Sequence, residues 1–125
     1  MIKHILAVED DESIREVLEY ILNDSGYEVN SFATAQDFFM RIEASNPDLI
    51  ILDINLPDGD GRELCKAIKS NVRTKKIPVI MMSASLNISE ILKESGANDF
   101  IPKPFNIDSF LNHVDIQLKG NQLIK

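Results

Sequence analysis

The sequence predicts one α/β domain, in which a five-stranded parallel sheet carries helices on both faces. Apolar segments of strand length alternate five times with segments of helical periodicity, which is the pattern of βαβ units. The runs at 49–52 and 77–82 are almost wholly apolar, as in strands buried on both faces. The 125 residues suit a single core. We assign residues 1–120 to this domain and 121–125 to a C-terminal tail.

The first strand is predicted at residues 4–8 and is followed by four acidic residues, 9–12. Ser13 is the predicted N-cap of the first helix, because Glu16 follows at the spacing of a capping box. Gly26 is a natural stop for this helix. The apolar residues at helical spacing between them are Ile14, Val17, Leu18, Ile21 and Leu22.

The second strand is predicted near residues 27–31, where apolar and polar residues roughly alternate. This alternation indicates a half-exposed strand at an edge of the sheet. A second amphipathic helix follows around Phe38, Phe39 and Ile42, and Asn46-Pro47 is predicted to end it.

The third strand, 49–52, ends abruptly at Asp53. Pro57, Gly59 and Gly61 then require the chain to turn. Asp53 is therefore expected at the carboxyl end of a buried strand, where open α/β sheets place their ligand sites. The alternative is that Asp53 merely begins a turn, since aspartate is a common turn residue.

The second half of the chain repeats the same alternation. A third helix precedes a polar loop at 70–76, and the fourth strand spans 77–82, with Pro78 tolerated near its start. A short fourth helix ends at Gly96, and a brief fifth strand contains Phe100 and Ile101. The apolar residues that mark the third, fourth and fifth helices are Leu64, Ala67 and Ile68, then Ile88, Ile91 and Leu92, and finally Ile107, Leu111, Val114 and Leu118.

Polar residues follow four of the five predicted strands. In chain order they are Glu9, Asp10, Asp53, Ser83 and Lys103. Because parallel strands end at one edge of a sheet, all of them can face one crevice. Three neighbouring carboxylates repel one another unless a cation is present, and Mg²⁺ prefers such oxygen ligands. The alternative for the acidic run is a solvated loop that starts a helix.

Lys103 lies between Pro102 and Pro104. Proline fixes its own φ and restricts the residue before it, so this loop is stiff and suited to holding a lysine towards an anion. The alternatives are a surface lysine in a turn and, for Ser83, a residue that simply starts a helix.

The composition excludes several classes of function. The formal net charge of −7 argues against non-specific binding to nucleic acid or to anionic membranes. Cys65 is the only cysteine, so an intrachain disulfide is impossible, and no zinc cluster is apparent. We find no signal peptide and no run long enough to span a membrane, and therefore expect a cytoplasmic protein.

This combination of strand-end residues resembles the receiver domain of two-component response regulators, over nearly the whole chain. The segments that carry the resemblance are Ile-Leu-Ala-Val-Glu-Asp-Asp at 5–11, Asp-Leu-Ile-Ile-Leu-Asp-Ile-Asn-Leu-Pro-Asp-Gly-Asp-Gly at 48–61, Ser-Ala at 83–84, Gly-Ala-Asn-Asp-Phe at 96–100 and Lys-Pro-Phe at 103–105. The resemblance implies the flavodoxin-like receiver fold, with strand order 2-1-3-4-5, the order for which a receiver protein is the standard example.

The resemblance also implies a mechanism. Asp53 would be the phosphoacceptor, attacking a phosphohistidine on a partner. Mg²⁺ would be held by three carboxylates and a backbone carbonyl, those of Glu9, Asp10, Asp53 and Asn55. Lys103 would pair with a phosphoryl oxygen once the aspartate is phosphorylated.

The remaining family roles concern signalling. Ser83 would hydrogen-bond the phosphoryl group, and Phe100 would be the switch aromatic that turns inward with it. The implied partners are a sensor histidine kinase or phosphotransfer protein and a downstream protein target, with no direct contact to nucleic acid or membrane. The chain would be a monomer or a phosphorylation-dependent dimer, and not an enzyme. The family tunes dephosphorylation at the positions of Asn55 and Ser85.

Four features depart from the family pattern. Glu9 stands where aspartate is commoner, Ser83 where threonine is commoner, and Phe100 where tyrosine is commoner. The stretch from Ser83 to Lys103 is about two residues shorter than usual, which affects the fourth helix.

Two other functions fit parts of the sequence. One is a receiver-like scaffold that binds partners without being phosphorylated. The other is an aspartate-nucleophile phosphatase, but such enzymes usually carry a general-acid aspartate two residues after the nucleophile, where this chain has Asn55.

Overall fold

Among the described residues, the main sheet contains five parallel strands. In the computed structural model, which describes residues 2–84 and 87–123 (side chains up to residue 119), the strands are β1 His4–Val8, β2 Glu28–Phe32, β3 Leu49–Asp53, β4 Val79–Ser83 and β5 Asp99–Pro102. Their order across the sheet is β2-β1-β3-β4-β5, and all neighbours are parallel. The predicted fold class and the 2-1-3-4-5 order are confirmed.

In the part of the chain that the structure describes, five helices alternate with these strands. They are α1 Glu12–Asp24, α2 Ala35–Ile42, α3 Gly61–Ser70, α4 Ile88–Ser95 and α5 Ile107–Leu123. A short antiparallel hairpin, Asn55–Leu56 with Gly59–Asp60, separates β3 from α3. None of the described helices is long and apolar enough to cross a membrane. Helix α5 passes residue 120, residues 124–125 lie outside the described range, and the boundary of the tail stays a prediction.

Two hydrophobic clusters lie on opposite faces of the sheet. Alternate residues of the central strands point to each, which is why their sequences are apolar throughout. One cluster packs under α2, α3 and α4 and includes Phe38, Leu64, Ile68 and Ile91. The other packs under α1 and α5 and includes Leu18, Leu22, Phe110 and Val114. Strand β2 is only half-buried at its edge, as its alternating sequence predicts.

Two predicted helix ends were wrong. The N-cap of α1 is Asp11, not Ser13, because Asp11 Oδ1 accepts a hydrogen bond from the Ile14 amide at 3.0 Å. Helix α2 ends at Ile42, several residues before Pro47. Its last turn is closed by the Ser45 hydroxyl, which donates to the Arg41 carbonyl at 3.0 Å. The stop at Gly96 is confirmed, since Gly96 adopts the left-handed conformation with φ +77°.

The apolar face of α5 differs from the predicted stripe at one end. Ile107 is 48% exposed, and the main core residue of the first turns is Phe110, which is fully buried. Phe38 and Phe39 divide as a helix surface requires, with Phe38 fully buried and Phe39 47% exposed. Cys65 is a buried residue of α3, and burial raises the pKa of its thiol.

Candidate functional site

Three carboxylates meet at the carboxyl edge of the sheet. Glu9 follows β1 directly and Asp53 is the last residue of β3, so the pairing of these two strands brings them side by side. Glu9 and Asp53 are buried, whereas Asp10 is exposed. One carboxylate oxygen from each residue lies within 4.8 Å of the other two. The structure therefore assembles the predicted acidic cluster.

Lys103 closes the cluster from the other side. Its Nζ donates to Glu9 Oε1 at 2.6 Å and to Asp53 Oδ2 at 3.1 Å. The Lys103 amide donates to the Ser83 carbonyl at 2.9 Å, which fixes the start of the β5–α5 loop against β4. The Lys103 side chain is 19% exposed, so the ammonium group is largely shielded from water. Strong charge-assisted bonds of this kind join the acidic residues to the stiff lysine loop.

Burial changes the protonation of this cluster. It raises the pKa of Glu9 to about 7, an effect that the hydrogen bond from Lys103 opposes and that the nearby Asp53 charge reinforces. Burial by itself lowers the pKa of Lys103, but its hydrogen bonds to Glu9 and Asp53 outweigh this, so the lysine pKa is raised. The lysine is therefore held as a cation between the two buried carboxyl groups.

The donor set fits a hard divalent cation. All three side chains offer oxygen, which Mg²⁺ prefers, and the exposed Asp10 leaves one side open for the waters that Mg²⁺ retains. Asn55 is exposed, and its backbone amide donates to Asp53 Oδ1 at 3.3 Å, so the chain turns directly after the aspartate. That the Asn55 carbonyl is a ligand stays a prediction.

Ser83 and Phe100 lie on neighbouring strands beside this cluster. Ser83 is the last residue of β4 and is 3% exposed, and it pairs in register with Pro102, next to Lys103. Phe100 is 4% exposed and belongs to the hydrophobic cluster that contains Ile91 of α4. The aromatic side chain is thus directed inward in this structure. Ser85 lies outside the described residues.

The sequence does not reveal how tightly the hairpin packs on Asp53. The Gly61 amide donates to the Ile54 carbonyl at 2.7 Å, and a Cβ at Gly61 would lie 2.1 Å from the Asp53 carbonyl oxygen. Only glycine permits this approach. The turn glycines predict a tight loop, but contact with the backbone of Asp53 follows only from the three-dimensional arrangement.

A second acidic contact that sequence reasoning missed joins the same loop to α2. The Asp58 carboxylate accepts hydrogen bonds from the backbone amide of Ala35 at 2.9 Å and from the backbone amide of Gln36 at 3.0 Å. These amides belong to the first turn of α2, whose free N–H groups favour an anion. They hold the pKa of Asp58 below its usual range. Aspartate in a turn gives no sequence signal for so distant a partner.

Comparison with known proteins identifies a family. The model of the response regulator receiver domain family matches residues 5–115. The chain is 38% identical over 122 residues to the transcriptional regulatory protein GltR of Pseudomonas aeruginosa, covering 96% of this chain and 50% of GltR. It is 33% identical over 121 residues to the phosphate regulon transcriptional regulatory protein PhoB of Rhizobium meliloti, covering 95% and 53%. The chain spans about half the length of these relatives.

Solved structures agree. A CheY-like receiver domain protein from Methanospirillum hungatei superposes with a TM-score of 0.90 at 31% identity, and each chain is covered over 100% of its length. The chemotaxis response regulator CheY4 of Vibrio cholerae gives a TM-score of 0.88 at 29% identity, covering 94% of this chain and 99% of CheY4. Family, sequence and fold coincide over the elements that carry the acidic cluster and Lys103, and the chain therefore belongs to the response regulator receiver domain family.

Proposed function

We propose that this chain is a phosphoacceptor in two-component signalling, in which Asp53 takes a phosphoryl group from a phosphohistidine with the help of Mg²⁺. The observation that carries the proposal is the contact of Lys103 with both Glu9 and Asp53, beside the exposed Asp10. This arrangement places a buried carboxylate between a fixed cation and a cluster of oxygen ligands. The resemblance derived from the sequence predicts the same roles for these residues.

The proposed reaction is a group transfer to a carboxylate nucleophile. An oxygen lone pair of Asp53 forms a bond to phosphorus while the P–N bond of the phosphohistidine breaks, and the electron pair of that bond remains on the imidazole nitrogen. The product is an aspartyl phosphate. Glu9, Asp10, Asp53 and, as predicted, the Asn55 carbonyl would hold Mg²⁺, which would neutralise charge on the transferring group.

Residues of the chain orient the Asp53 nucleophile and provide charge opposite the incoming phosphoryl group. Asp53 is held at the end of β3 and is 4% exposed, which limits access of competing water. Lys103 Nζ lies 3.1 Å from Asp53 Oδ2 and is placed to pair with an oxygen of the incoming group. Ser83, at the neighbouring strand end, is the proposed donor to another phosphoryl oxygen.

The proposed output is a change of shape read by another protein. A phosphoryl group adds a charge of about −1.5 to −2 and several acceptor oxygens next to residues that are now in mutual contact. We propose that Ser83 and Phe100 transmit this change of shape from Asp53 to the α4–β5–α5 surface. The proposed partners are a histidine kinase or phosphotransfer protein and a downstream protein target in the cytoplasm. We do not expect the chain to contact nucleic acid directly.

The test is the intact mass after incubation with acetyl phosphate, with and without Mg²⁺. We expect the mass of one phosphoryl group on the wild type only when Mg²⁺ is present, and none on Asp53→Asn. Asp108→Asn is the matched control, because it removes an exposed carboxylate at the start of α5 and leaves the cluster intact. A wild type that gains no mass and binds no beryllofluoride would contradict the proposal and favour a scaffold that works by binding alone.

A further inference from the structure

The backbone of the acid pair is held by one side chain of helix α1. Arg15 Nη1 donates to the Glu9 carbonyl at 2.9 Å and to the Asp10 carbonyl at 3.0 Å. Arg15 is half-buried, and its amide donates to the Asp11 carbonyl at 2.9 Å, which fixes its place in the first turn of α1. Side chains on a helix lean towards its N-terminus, so the guanidinium reaches back over the loop.

The other contacts of this loop leave Asp10 dependent on its backbone. The Glu9 amide donates to the Phe32 carbonyl at 2.9 Å, and Glu9 Oε2 accepts from the Asp11 amide at 3.2 Å. In residues 2–84 and 87–123, the hydrogen bond at Asp10 is the one from Arg15 to its carbonyl. The point from which the Asp10 carboxylate extends is therefore set by the loop backbone that Arg15 holds.

We propose that Arg15 is a positioning residue for the cation site: by holding the carbonyls of Glu9 and Asp10, it keeps the Asp10 carboxylate beside those of Glu9 and Asp53. The inference rests on the proposed function, because it concerns the Mg²⁺ that this function requires. Groups that orient metal ligands without touching the metal commonly affect affinity strongly. Arg15 is not itself a proposed ligand of the metal or a contact of the substrate, and it acts through Glu9 and Asp10.

The sign of the effect separates positioning from charge. A guanidinium repels a divalent cation, so removal of its charge would by itself strengthen Mg²⁺ binding. Loss of positioning weakens it, because Asp10 is no longer held against its neighbours. A purely structural role would lower the stability of the protein and leave the affinity of the folded molecules unchanged.

The test compares Mg²⁺ affinity in three variants with that of the wild type, without any phosphodonor. Arg15→Gln removes the charge and shortens the side chain, and Arg15→Lys keeps a cation that can donate to a carbonyl. Arg41→Gln is the control, since it removes one positive charge from an exposed helical position elsewhere. The chain has no tryptophan, so the amide signals of residues 9–11 and 53 in ¹H–¹⁵N NMR spectra are the suitable readout, and they also report whether each variant is folded.

We expect Arg15→Gln to bind Mg²⁺ about tenfold more weakly than the wild type, Arg15→Lys to lie between the two, and Arg41→Gln to match the wild type. Arg15→Gln binding as tightly as the wild type, or more tightly, would overturn the inference. Should Arg15→Gln not fold, Arg15→Lys decides, and wild-type affinity in that variant overturns the inference. A wild type that binds no Mg²⁺ would overturn both this inference and the proposed function, whereas unchanged variants alone overturn only the role of Arg15.

Discussion

Helices α1 and α4 each follow a strand whose end carries site residues, but they are anchored differently. Helix α1 has 13 residues, is capped by Asp11 and buries Leu18, Ile21 and Leu22. Helix α4 has 8 residues and buries Ile91 and Ser95, packing on α3 and β5. Its link to α3 includes the ion pair between Glu94 and Arg62, at 3.4 Å and substantially exposed, a type of contact that contributes little to stability.

The difference indicates that the two halves of the site, one with the acidic residues and one with Ser83, have different roles. The acidic loops are fixed by bonds between side chains and backbone, at Asp11, Arg15 and Asp58. The half of the site that contains Ser83 leads instead into a short helix with few buried residues. A fixed half suits the positioning of charge, and a lightly anchored half suits a change of shape, since moving elements are drawn from regions of low local stability.

The largest expected effect is on the anchored side. Leu18→Ala should lower the free energy of unfolding by about 3 kcal/mol, because the fully buried leucine packs under the sheet and its removal leaves a cavity. Urea denaturation measures this loss. Val17→Ala is the control, since Val17 is 43% exposed on the same helix, and it should cost less than about 1 kcal/mol. Similar losses in both variants would remove the basis for calling α1 anchored.

A smaller effect is expected for the matching change in α4. Ile91→Ala should lower the free energy of unfolding by about 2 kcal/mol, because a short helix can shift to fill part of the cavity. In hydrogen exchange of this variant, α4 amides should lose protection before α1 amides, with Ile88→Ala, at a 39% exposed site, as the control. Simultaneous loss of protection in both helices would show that they open as one unit.

The cap of α1 gives a third, smaller effect. Asp11→Ala should lower the free energy of unfolding by about 1 kcal/mol, because the Ile14 amide loses its acceptor. Asp11→Asn should be nearly neutral, since asparagine caps helices about as well as aspartate. Thermal or urea unfolding decides the matter. If Ser13→Ala proved as costly as Asp11→Ala, the cap would be at the position that the sequence pattern favours.

The smallest effect depends on pH and tests the contact of Asp58 with the first turn of α2. The Ala35 and Gln36 amides lower the pKa of Asp58, so the folded state favours its ionised form. The unfolded chain then binds the proton first as the pH falls, so this stabilisation is complete above the usual pKa of aspartate and disappears as the pH falls through the lower, folded-state pKa.

Asp58→Asn should therefore unfold at a lower urea concentration than the wild type near neutral pH. The difference between the two urea midpoints should become smaller below about pH 4. The measurement is a series of urea midpoints for both proteins between about pH 3 and pH 7. Asp24→Asn, which changes an exposed carboxylate at the end of α1 and not in the first turn of α2, is the control. A difference in urea midpoints that stays constant down to the lowest pH would mean that the charge of Asp58 does not contribute to the stability of α2.

Much of the fold and of the site could be predicted because hydrophobic period and strand direction are properties of the sequence. The apolar run before Asp53 requires a buried strand, and parallel strands must end together, so Glu9, Asp10 and Lys103 follow from topology. The family resemblance added the strand order and the roles.

The rest depends on choices that local sequence leaves nearly equal. Residues 9–13 offer several possible caps, and the residue that accepts the hydrogen bond, Asp11, lies two positions before the predicted Ser13. On α5, Ile107 and Phe110 are both apolar and three residues apart, yet Ile107 is 48% exposed and only Phe110 enters the hydrophobic cluster. The Arg15 contacts are to backbone carbonyls, which every residue has, so no pattern of residue types reveals them.

The contact of Gly61 with the Asp53 backbone has a consequence for inherited variation. Every missense change of a glycine codon introduces a Cβ. Every such allele at the codon of Gly61 would therefore place a Cβ against the backbone of Asp53, the proposed nucleophile, and displace it. These alleles would alter the site while all of its charged residues remain intact. A survey of natural variants that inspected only the charged residues would score them as harmless.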